Sequence, residues 1–245
     1  MDVRAWLQSG GMKVGTIVTI DHPAIVEIAK LAGFDWLWID GEHGRFNELN
    51  AATACAVTAG GPPTFVRLPD RSATAIKRFL DIGCDGIILP QVSSAAEVDE
   101  IARAALYPPR GDRSVGVARA QAYGARFAEC LQQQDYAIIV QIESVAGVRN
   151  AEAIVAHAAV DAVVIGPYDL SGSFGIPGKI ESPQVLESIA EVLALCKKAG
   201  KPCGIFAATA EKAKVYAREG FDLIAVGMDC SVLLGGYRTM CDLLR

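Results

Sequence analysis

Short apolar runs alternate with longer amphipathic segments along most of the chain. The runs are rich in Val, Ile and Ala, which is typical of strands buried on both faces of a parallel sheet. They predict strands at residues 14–20, 34–40, 64–68, 86–92, 136–143, 162–165, 202–207 and 223–226. The segments between them carry helical periodicity and capping residues, and they predict helices at residues 23–33, 47–60, 73–82, 95–106, 148–157, 183–199, 210–220 and 231–244.

Eight strands that are each followed by a helix form the repeat of an α/β fold, the single (β/α)8 TIM barrel. The chain has 245 residues, close to the ~250 typical of this fold, so we predict one domain over residues 1–245. A doubly wound open sheet is the alternative. It is disfavoured because the turn at residues 19–23 lacks the glycine-rich sequence that binds dinucleotides.

Two long segments, residues 107–126 and 172–182, show no regular pattern. We expect both at the end of the barrel that carries the active site, where long loops shape a substrate pocket or a subunit contact. For the first segment, a simple proline-punctuated connector is the alternative.

Polar residues interrupt or follow the predicted strands at their carboxyl ends, where TIM barrels carry their active sites. They are Asp40, Glu42, His43, Arg67, Gln91, Gln141, Glu143, Asp169 and Asp229. Glu143 and Asp169 follow consecutive strands, so a parallel sheet would bring both carboxylates to the same edge. Two such oxygen ligands suit a hard divalent cation, Mg²⁺ or Mn²⁺. The alternative for each acid alone is an ordinary loop residue or helix N-cap.

His43 and Arg67 are the candidate proton-transfer and cationic groups. His43 lies in the sequence IDGEHG, whose glycines allow a tight turn that exposes the imidazole. A surface or capping histidine is the alternative. Arg67 lies inside the apolar run FVRLP, so its guanidinium needs an anionic partner, either an internal acid or a substrate carboxylate.

The positions of the lysines separate two kinds of aldol chemistry. None of them falls at the carboxyl end of a predicted strand, which disfavours a Schiff-base mechanism. Stabilisation of a carbanion would then depend on a metal ion and a cationic side chain.

Charge and cysteine content narrow the functional classes. The net charge of −5 argues against nucleic acid as a partner. The seven cysteines are scattered singly, without the spacing of a zinc site, and indicate a reducing compartment. The first residues lack an apolar signal segment, and no apolar run approaches the ~20 residues that span a bilayer. We therefore expect a soluble cytoplasmic protein with no membrane partner.

Seven motifs are distinctive in combination and extend along nearly the whole chain: AGFDWLWIDGEHG (32–44), FVRLP (65–69), FLDIGCDGIILPQV (79–92), YPPRGDRSVG (107–116), VQIES (140–144), IGPYDLS (165–171) and AVGMD (225–229). In these motifs the chain resembles the HpcH/HpaI family of class II 2-oxo-acid (pyruvate) aldolases. That family includes 2,4-dihydroxyhept-2-ene-1,7-dioate aldolase and 2-dehydro-3-deoxyglucarate aldolase. The resemblance implies a TIM barrel of the phosphoenolpyruvate/pyruvate-binding type.

The resemblance also implies a ligand set. Glu143 and Asp169 would ligate the divalent cation, Mg²⁺ or Mn²⁺ with Co²⁺ as a further option, and no organic cofactor would be needed. Gln141, Asp169 and the backbone amide of Tyr168 would hold the 2-oxo acid.

Three catalytic roles follow from the same resemblance. His43 would be the proton acceptor, and Arg67 would stabilise the developing enolate. Asp81 would increase the basicity of His43, with a subunit interface as one route. No strand-end argument selects Asp81, and a helix-end surface acid is its alternative.

The expected activity is a divalent-metal-dependent aldolase that cleaves 4-hydroxy-2-oxo acids to pyruvate and an aldehyde, or forms them, through a metal-bound pyruvate enolate. A decarboxylase or other carbon–carbon lyase on the same site is one alternative, for example on oxaloacetate. A non-catalytic metabolite-binding barrel is another. Residues 44–46 and Tyr168 differ from many relatives near the expected aldehyde end, so the resemblance does not identify the aldehyde.

A homo-oligomer is also expected, because members of the resembled family are commonly hexamers. The last predicted helix, residues 231–244, is apolar. It would pack either on a neighbouring subunit or on its own barrel.

Overall fold

Eight parallel strands close into a barrel in the computed structural model, which describes all 245 residues. They are β1 (Lys13–Val18), β2 (Trp36–Asp40), β3 (Thr64–Arg67), β4 (Gly86–Leu89), β5 (Ala137–Ile142), β6 (Ala162–Ile165), β7 (Cys203–Ala207) and β8 (Leu223–Met228). The strands follow one another in chain order, and β8 pairs with β1. The predicted (β/α)8 barrel is confirmed. The open-sheet alternative is wrong, because an open sheet would leave two edge strands unpaired.

Twelve α-helices surround or extend the barrel. They are α1 (Val3–Gln8), α2 (Pro23–Leu31), α3 (Glu48–Thr58), α4 (Ala73–Asp81), α5 (Ala95–Ala105), α6 (Phe127–Gln132), α7 (Val145–Arg149), α8 (Ala151–Ala156), α9 (Pro167–Ser173), α10 (Pro183–Ala199), α11 (Ala210–Glu219) and α12 (Asp229–Asp242), with a 3₁₀-helix at Arg119–Gly124. None of these helices combines the length and apolar character needed to cross a membrane.

Four helices begin where the sequence places a capping side chain. Asn47, Ser72, Ser94 and Thr209 each accept a hydrogen bond from a backbone N–H in the first turn of the helix that follows. The helix predicted at 148–157 is instead two helices, α7 and α8, which meet at Asn150. The sequence pattern does not predict the short helices α1, α6 and α9, because six or seven residues carry too little periodicity.

The apolar core has two parts. Side chains that point into the barrel, among them Trp36, Trp38, Phe65 and Ile139, form one cluster. A larger cluster of 45 residues lies between the strands and the surrounding helices. Helix α1 covers the amino-terminal end of the barrel and contributes to the inner cluster, so the open end is the carboxyl end.

The segment 107–126 lies at the opposite end of the barrel from the one expected. It joins the end of α5 to α6, which precedes β5. Helices run antiparallel to strands in this fold, so the segment lies at the amino-terminal ends of the strands. Arg119 fixes it there by donating to the carbonyl oxygens of Ile82 and Gly83, just after α4. The segment 172–182 follows β6 and α9 and lies at the carboxyl end, as predicted.

Helix α12 has no buried residue. Its exposed apolar side chains include Val232, Leu234, Tyr237 and Met240, each at least half exposed. Packing of this helix on its own barrel, one of the two alternatives from the sequence, is therefore wrong. A monomer would leave this apolar helix in water.

Candidate active site

A cavity of about 450 Å³ opens at the carboxyl ends of the strands. Five residues predicted from the sequence line it: His43, Arg67, Gln141, Tyr168 and Asp169. Glu143 lies directly behind its wall, because Gly166 lines the cavity and a Cβ on Gly166 would overlap the Glu143 carboxylate. The fold thus brings six predicted residues to one place, since each lies in, at the end of or just after a barrel strand.

Arg67 is held by two acids of the β2 end. It pairs in register with Asp40, the last residue of β2. Its Nε donates to Asp40 Oδ1 over 2.9 Å and its Nη2 to Asp40 Oδ2 over 2.7 Å, which makes a bidentate ion pair. Its Nη1 lies 3.0 Å from Glu42 Oε2. Arg67 therefore has the internal acidic partner that one sequence interpretation required, and it lines the cavity as well.

The electrostatic balance keeps Arg67 charged. Burial opposes the charged form, but the hydrogen bonds and charge of Asp40, with Glu42, more than offset it and raise the pKa of the guanidinium. The guanidinium carbon also lies 5.2 Å from the centroid of the Trp38 ring, which forms part of the cavity floor.

A tight turn after β2 places His43. Oδ1 of Asp40 accepts hydrogen bonds from the backbone N–H groups of Glu42 and His43, at 3.1 and 3.3 Å. The turn requires glycine: a Cβ on Gly41 would lie 2.6 Å from the carbonyl oxygen of Arg67, and one on Gly44 would overlap that of Asp40. The side chain of His43 is 68% exposed. The tight, exposed turn predicted from IDGEHG is confirmed.

Glu143 is a buried carboxylate with no cationic side chain bonded to it. Its Oε1 accepts from the backbone N–H of Gln91 over 2.8 Å, and its Oε2 accepts from the Gln141 side-chain amide. Gln91 adopts a left-handed backbone conformation, with φ of 55°, which is uncommon for a residue other than glycine. Burial, followed by the negative charge of Asp169, raises the pKa of Glu143 to about 8.

These residues fit a hard divalent cation. Nowhere in the chain do three or more His, Cys, Asp or Glu side chains form a metal-binding group, so the protein would contribute at most two carboxylates. Mg²⁺ is commonly held by one or two carboxylates, with substrate and water completing the octahedron. Glu143 has no cationic side chain within 4.0 Å, and the charge of Arg67 offsets its burial only in part. The Oε1 of Gln141 beside it is buried without a hydrogen-bond partner. A divalent cation would supply positive charge to Glu143, and a water molecule held with it would supply a hydrogen-bond donor to Gln141 Oε1.

Helix α9 presents the remaining predicted residues. It begins at Pro167, directly after β6, so Tyr168 and Asp169 lie in its first turn, where backbone N–H groups have no acceptor within the helix. The Tyr168 ring lies 6.2 Å from the ring of Phe206 on β7, the strand next to β6, measured between centroids, and both residues line the cavity.

The profile of the HpcH/HpaI aldolase/citrate lyase family matches residues 13–235, which extend from β1 into α12. The chain belongs to this family. The resemblance seen in the seven motifs is thereby confirmed.

Individual members of the family are similar over nearly the full chain. A hydroxypyruvate/pyruvate aldolase from Pseudomonas aeruginosa is 37% identical over 239 residues, which are 96% of this chain and 89% of that protein. A 5-keto-4-deoxy-D-glucarate aldolase from Salmonella arizonae is 35% identical over 240 residues, covering 96% and 93%. The crystal structure of a family protein from Burkholderia cenocepacia superposes with a TM-score of 0.95 at 33% identity, covering 99% and 98%. This chain is therefore an enzyme, a carbon–carbon lyase of the aldolase type.

Asp81 is the one predicted site residue that lies at the opposite end of the barrel from the cavity of this aldolase. It ends α4, at the amino-terminal end of the barrel, and accepts from Arg113 Nη2 over 2.5 Å. The Arg113 guanidinium is buried between the rings of Tyr107 and Tyr136, with centroids 4.6 and 5.6 Å away. Within one chain Asp81 is not brought together with His43. An effect of Asp81 on a neighbouring subunit's His43 stays a prediction.

Asp40, Glu42 and Gln91 are predicted from the sequence as strand-end residues, but the sequence assigns them no role. The structure shows that Asp40 clamps Arg67 and orders the His43 turn, while Gln91 supplies a hydrogen bond to Glu143. The sequence does indicate a partner for Asp40, because an acid and an arginine at the ends of adjacent strands commonly form an ion pair. Gln91 acts through its backbone N–H, which a pattern of side chains does not reveal.

Proposed function

We propose that this aldolase cleaves 4-hydroxy-2-oxo acids to pyruvate and an aldehyde, and forms them in reverse, in a divalent-metal-dependent reaction. The observation that carries the proposal is the convergence in one cavity of an exposed imidazole, a buried guanidinium and, at its wall, two carboxylates with no cationic side chain within 4.0 Å. The names of the two aldolases described above denote 2-oxo or keto acids, which supports the same substrate class.

Arg67 would stabilise the negative charge that develops on the keto oxygen as the carbon–carbon bond breaks. The guanidinium has five N–H donors; two of them are hydrogen-bonded to Asp40, and Nη1 forms an ion pair with Glu42. The bidentate pair fixes the plane of the group before substrate arrives, so little reorganisation is needed in the transition state. The remaining donors are free for the enolate oxygen.

His43 would accept the proton of the C4 hydroxyl group, which becomes the aldehyde oxygen. Its exposure at the cavity mouth leaves room for a substrate beside it. The proton acceptor and the oxyanion stabiliser then lie on neighbouring elements, the β2 turn and β3, which suits a substrate that bridges them.

Glu143 and Asp169 would hold the cation, with Gln141 beside them. When bound, a divalent cation supplies Lewis acidity that favours negative charge on the oxygens of the 2-oxo acid. Gln141 and the amide of Tyr168 would fix the carboxylate end of the substrate. Mg²⁺ and Mn²⁺ are the expected metals, and Co²⁺ is a further candidate.

The test is pyruvate release from a panel of 4-hydroxy-2-oxo acids before and after removal of metal. We expect chelation to lower the rate by about 100-fold or more, because charge stabilisation is lost, and Mg²⁺, Mn²⁺ or Co²⁺ to restore it. A Glu143→Gln variant should not recover on adding metal. Undiminished cleavage after thorough stripping would refute the metal dependence, and turnover of oxaloacetate alone would favour a decarboxylase.

We also propose that the active form is a homo-oligomer, with a hexamer as the expected size. The exposed apolar face of α12 supports this, because a chain that remained monomeric would keep this face in contact with water.

A further inference from the structure

One carboxylate oxygen in the site lies close to both the guanidinium and the imidazole. Oε2 of Glu42 is 3.0 Å from Arg67 Nη1 and 3.9 Å from His43 Nε2. It is the only carboxylate oxygen within 4.0 Å of a His43 ring nitrogen. The side chain of Glu42 is 13% exposed, so this anion is much less hydrated than the imidazole it faces.

Glu42 is fixed from several directions. Its backbone N–H donates to Asp40 Oδ1, and its carboxylate pairs with Arg67, which Asp40 clamps in turn. Burial, together with the negative charges of Asp40 and Asp169, raises the pKa of Glu42, while the charges of Arg67 and His43 act in the opposite direction. The ion pair therefore opposes the protonation that burial favours.

We propose that Glu42 is a positioning residue for His43. Its carboxylate orients the imidazole and stabilises the positive charge that the ring gains on accepting the substrate proton. An anion about 4 Å away favours that charge, and more strongly as substrate excludes water from the cavity. This inference rests on the proposed function, in which His43 is the proton acceptor.

The other charged groups around His43 do not supply the same effect. Arg67 on β3 is positive and disfavours a charged ring. Asp40 is engaged twice by Arg67, and Asp169 at the start of α9 would be engaged by the cation. Arg45, two residues along the turn, lies 3.8 Å from Asp21. Glu42 is therefore the carboxylate of the same chain that can stabilise a charged His43.

The first experiment is the pH profile of kcat/KM for pyruvate release at saturating Mg²⁺, comparing wild type with Glu42→Gln. The amide keeps the shape but removes the charge. In Glu42→Gln we expect the acidic limb of the kcat/KM profile to move to lower pH by roughly 0.5–1 unit, because the imidazole loses a neighbouring negative charge. The plateau kcat should fall about 10-fold with little change in KM, because the base is weaker and less well oriented.

Asp21→Asn is the matched control for this experiment. Asp21 is a carboxylate at the same end of the barrel, bonded to Asn50 and near Arg45, and it has no contact with the His43 ring. Its variant should keep the wild-type acid limb. An unmoved limb in Glu42→Gln would overturn the proposal, and a shift found only in Asp81→Asn would assign the role to Asp81 of a neighbouring subunit.

A second readout does not depend on turnover. Diethyl pyrocarbonate modifies neutral imidazoles, so we expect His43 of Glu42→Gln to react about two- to five-fold faster near pH 6, measured by peptide mass spectrometry. His22 and His157 in the same sample serve as internal controls. If wild type released no pyruvate, the proposed function would fail while this labelling would still test Glu42. Equal labelling rates in both proteins would overturn the inference itself.

Discussion

Single side chains in this site act on several partners at once. Oδ1 of Asp40 accepts from Arg67 Nε and from the backbone N–H groups of Glu42 and His43. Asp40 therefore positions both Arg67, which would face the enolate, and the turn that carries His43, the proposed proton acceptor. Glu143, unlike Asp40, is buried without an ion pair to a cationic side chain, so its carboxylate is available to a bound cation.

The first residue-scale prediction concerns protons and metal at Glu143. Its pKa is about 8 in the folded metal-free protein, against 4.5 for the free side chain. The folded state therefore favours the protonated form, so this group's stabilising contribution is complete below about pH 4.5 and is lost as pH rises to about 8. Mg²⁺ needs the carboxylate. Binding near pH 7 should release roughly one proton, and binding near pH 9 very few, by calorimetry in buffers of different ionisation enthalpy.

Glu143→Gln is the control for that measurement. It should abolish the proton release and flatten the loss of metal-free stability between about pH 4.5 and 8, followed by thermal unfolding. A wild-type protein that binds Mg²⁺ without any proton release near pH 7 would contradict the assignment of Glu143 as a ligand.

The second residue-scale prediction concerns Arg67. Arg67→Lys keeps the charge next to buried Asp40, whereas alanine would leave that acid unpaired at a cost of about 3–5 kcal/mol. We expect kcat to fall by about 100-fold and KM to change less than about threefold, because lysine lacks the planar fork that would meet the enolate oxygen. Steady-state kinetics distinguishes stabilisation of the enolate from binding of the substrate. A defect confined to KM would argue that Arg67 only binds substrate.

At the scale of elements, the β2–α3 turn is the part of the site most sensitive to backbone geometry. Gly41 and Gly44 allow the chain to pass against the carbonyl oxygens of Arg67 and Asp40. The turn is thereby anchored to β3 as well as to β2, which gives an exposed histidine a defined position. Helix α9 does the same for Tyr168 and Asp169 by starting directly at the end of β6.

Gly44→Ala tests the importance of this turn. A Cβ there would overlap the carbonyl oxygen of Asp40, so the turn must shift and carry His43 with it. We expect kcat to fall about 10-fold or more, and the free energy of unfolding by about 1–3 kcal/mol. Gly116→Ala is the control, because a Cβ there meets no atom within 4 Å. Equal activity of the two variants would show that the turn adapts without cost.

In the molecule as a whole, the strands form a closed barrel, but no other part of the chain buries helix α12. Closure of β8 on β1 leaves no free strand edge, so the strands themselves offer no template for association. Helix α12 instead leaves the barrel with its apolar side chains in water. Association through this helix is the arrangement that would remove them from solvent.

The corresponding prediction is that charges on α12 disrupt an oligomer. We expect multi-angle light scattering to show a multiple of the 25.9 kDa chain for wild type and a lower mass for Leu234→Glu combined with Met240→Glu. Leu49→Glu is the control, since Leu49 is exposed on α3 and outside α12. A monomeric wild-type protein would contradict the proposal.

The sequence determined the strands, most helices and the end of the barrel at which His43, Arg67, Glu143 and Asp169 would meet. These features follow from local pattern, because side-chain periodicity is set by the backbone geometry of each element and parallel strands share one polarity. Short helices such as α1 and α9 escaped detection because too few residues repeat.

Which groups become partners follows from the three-dimensional fold and not from the sequence pattern. The pairing of Arg67 with Asp40 depends on the register of β2 against β3, and the bond from Gln91 to Glu143 depends on one left-handed residue. The placement of Asp81 and of residues 107–126 at the far end, and the exposure of α12, follow from the path of the closed chain. Contacts between residues distant in sequence are fixed when the barrel closes, and no local pattern contains them.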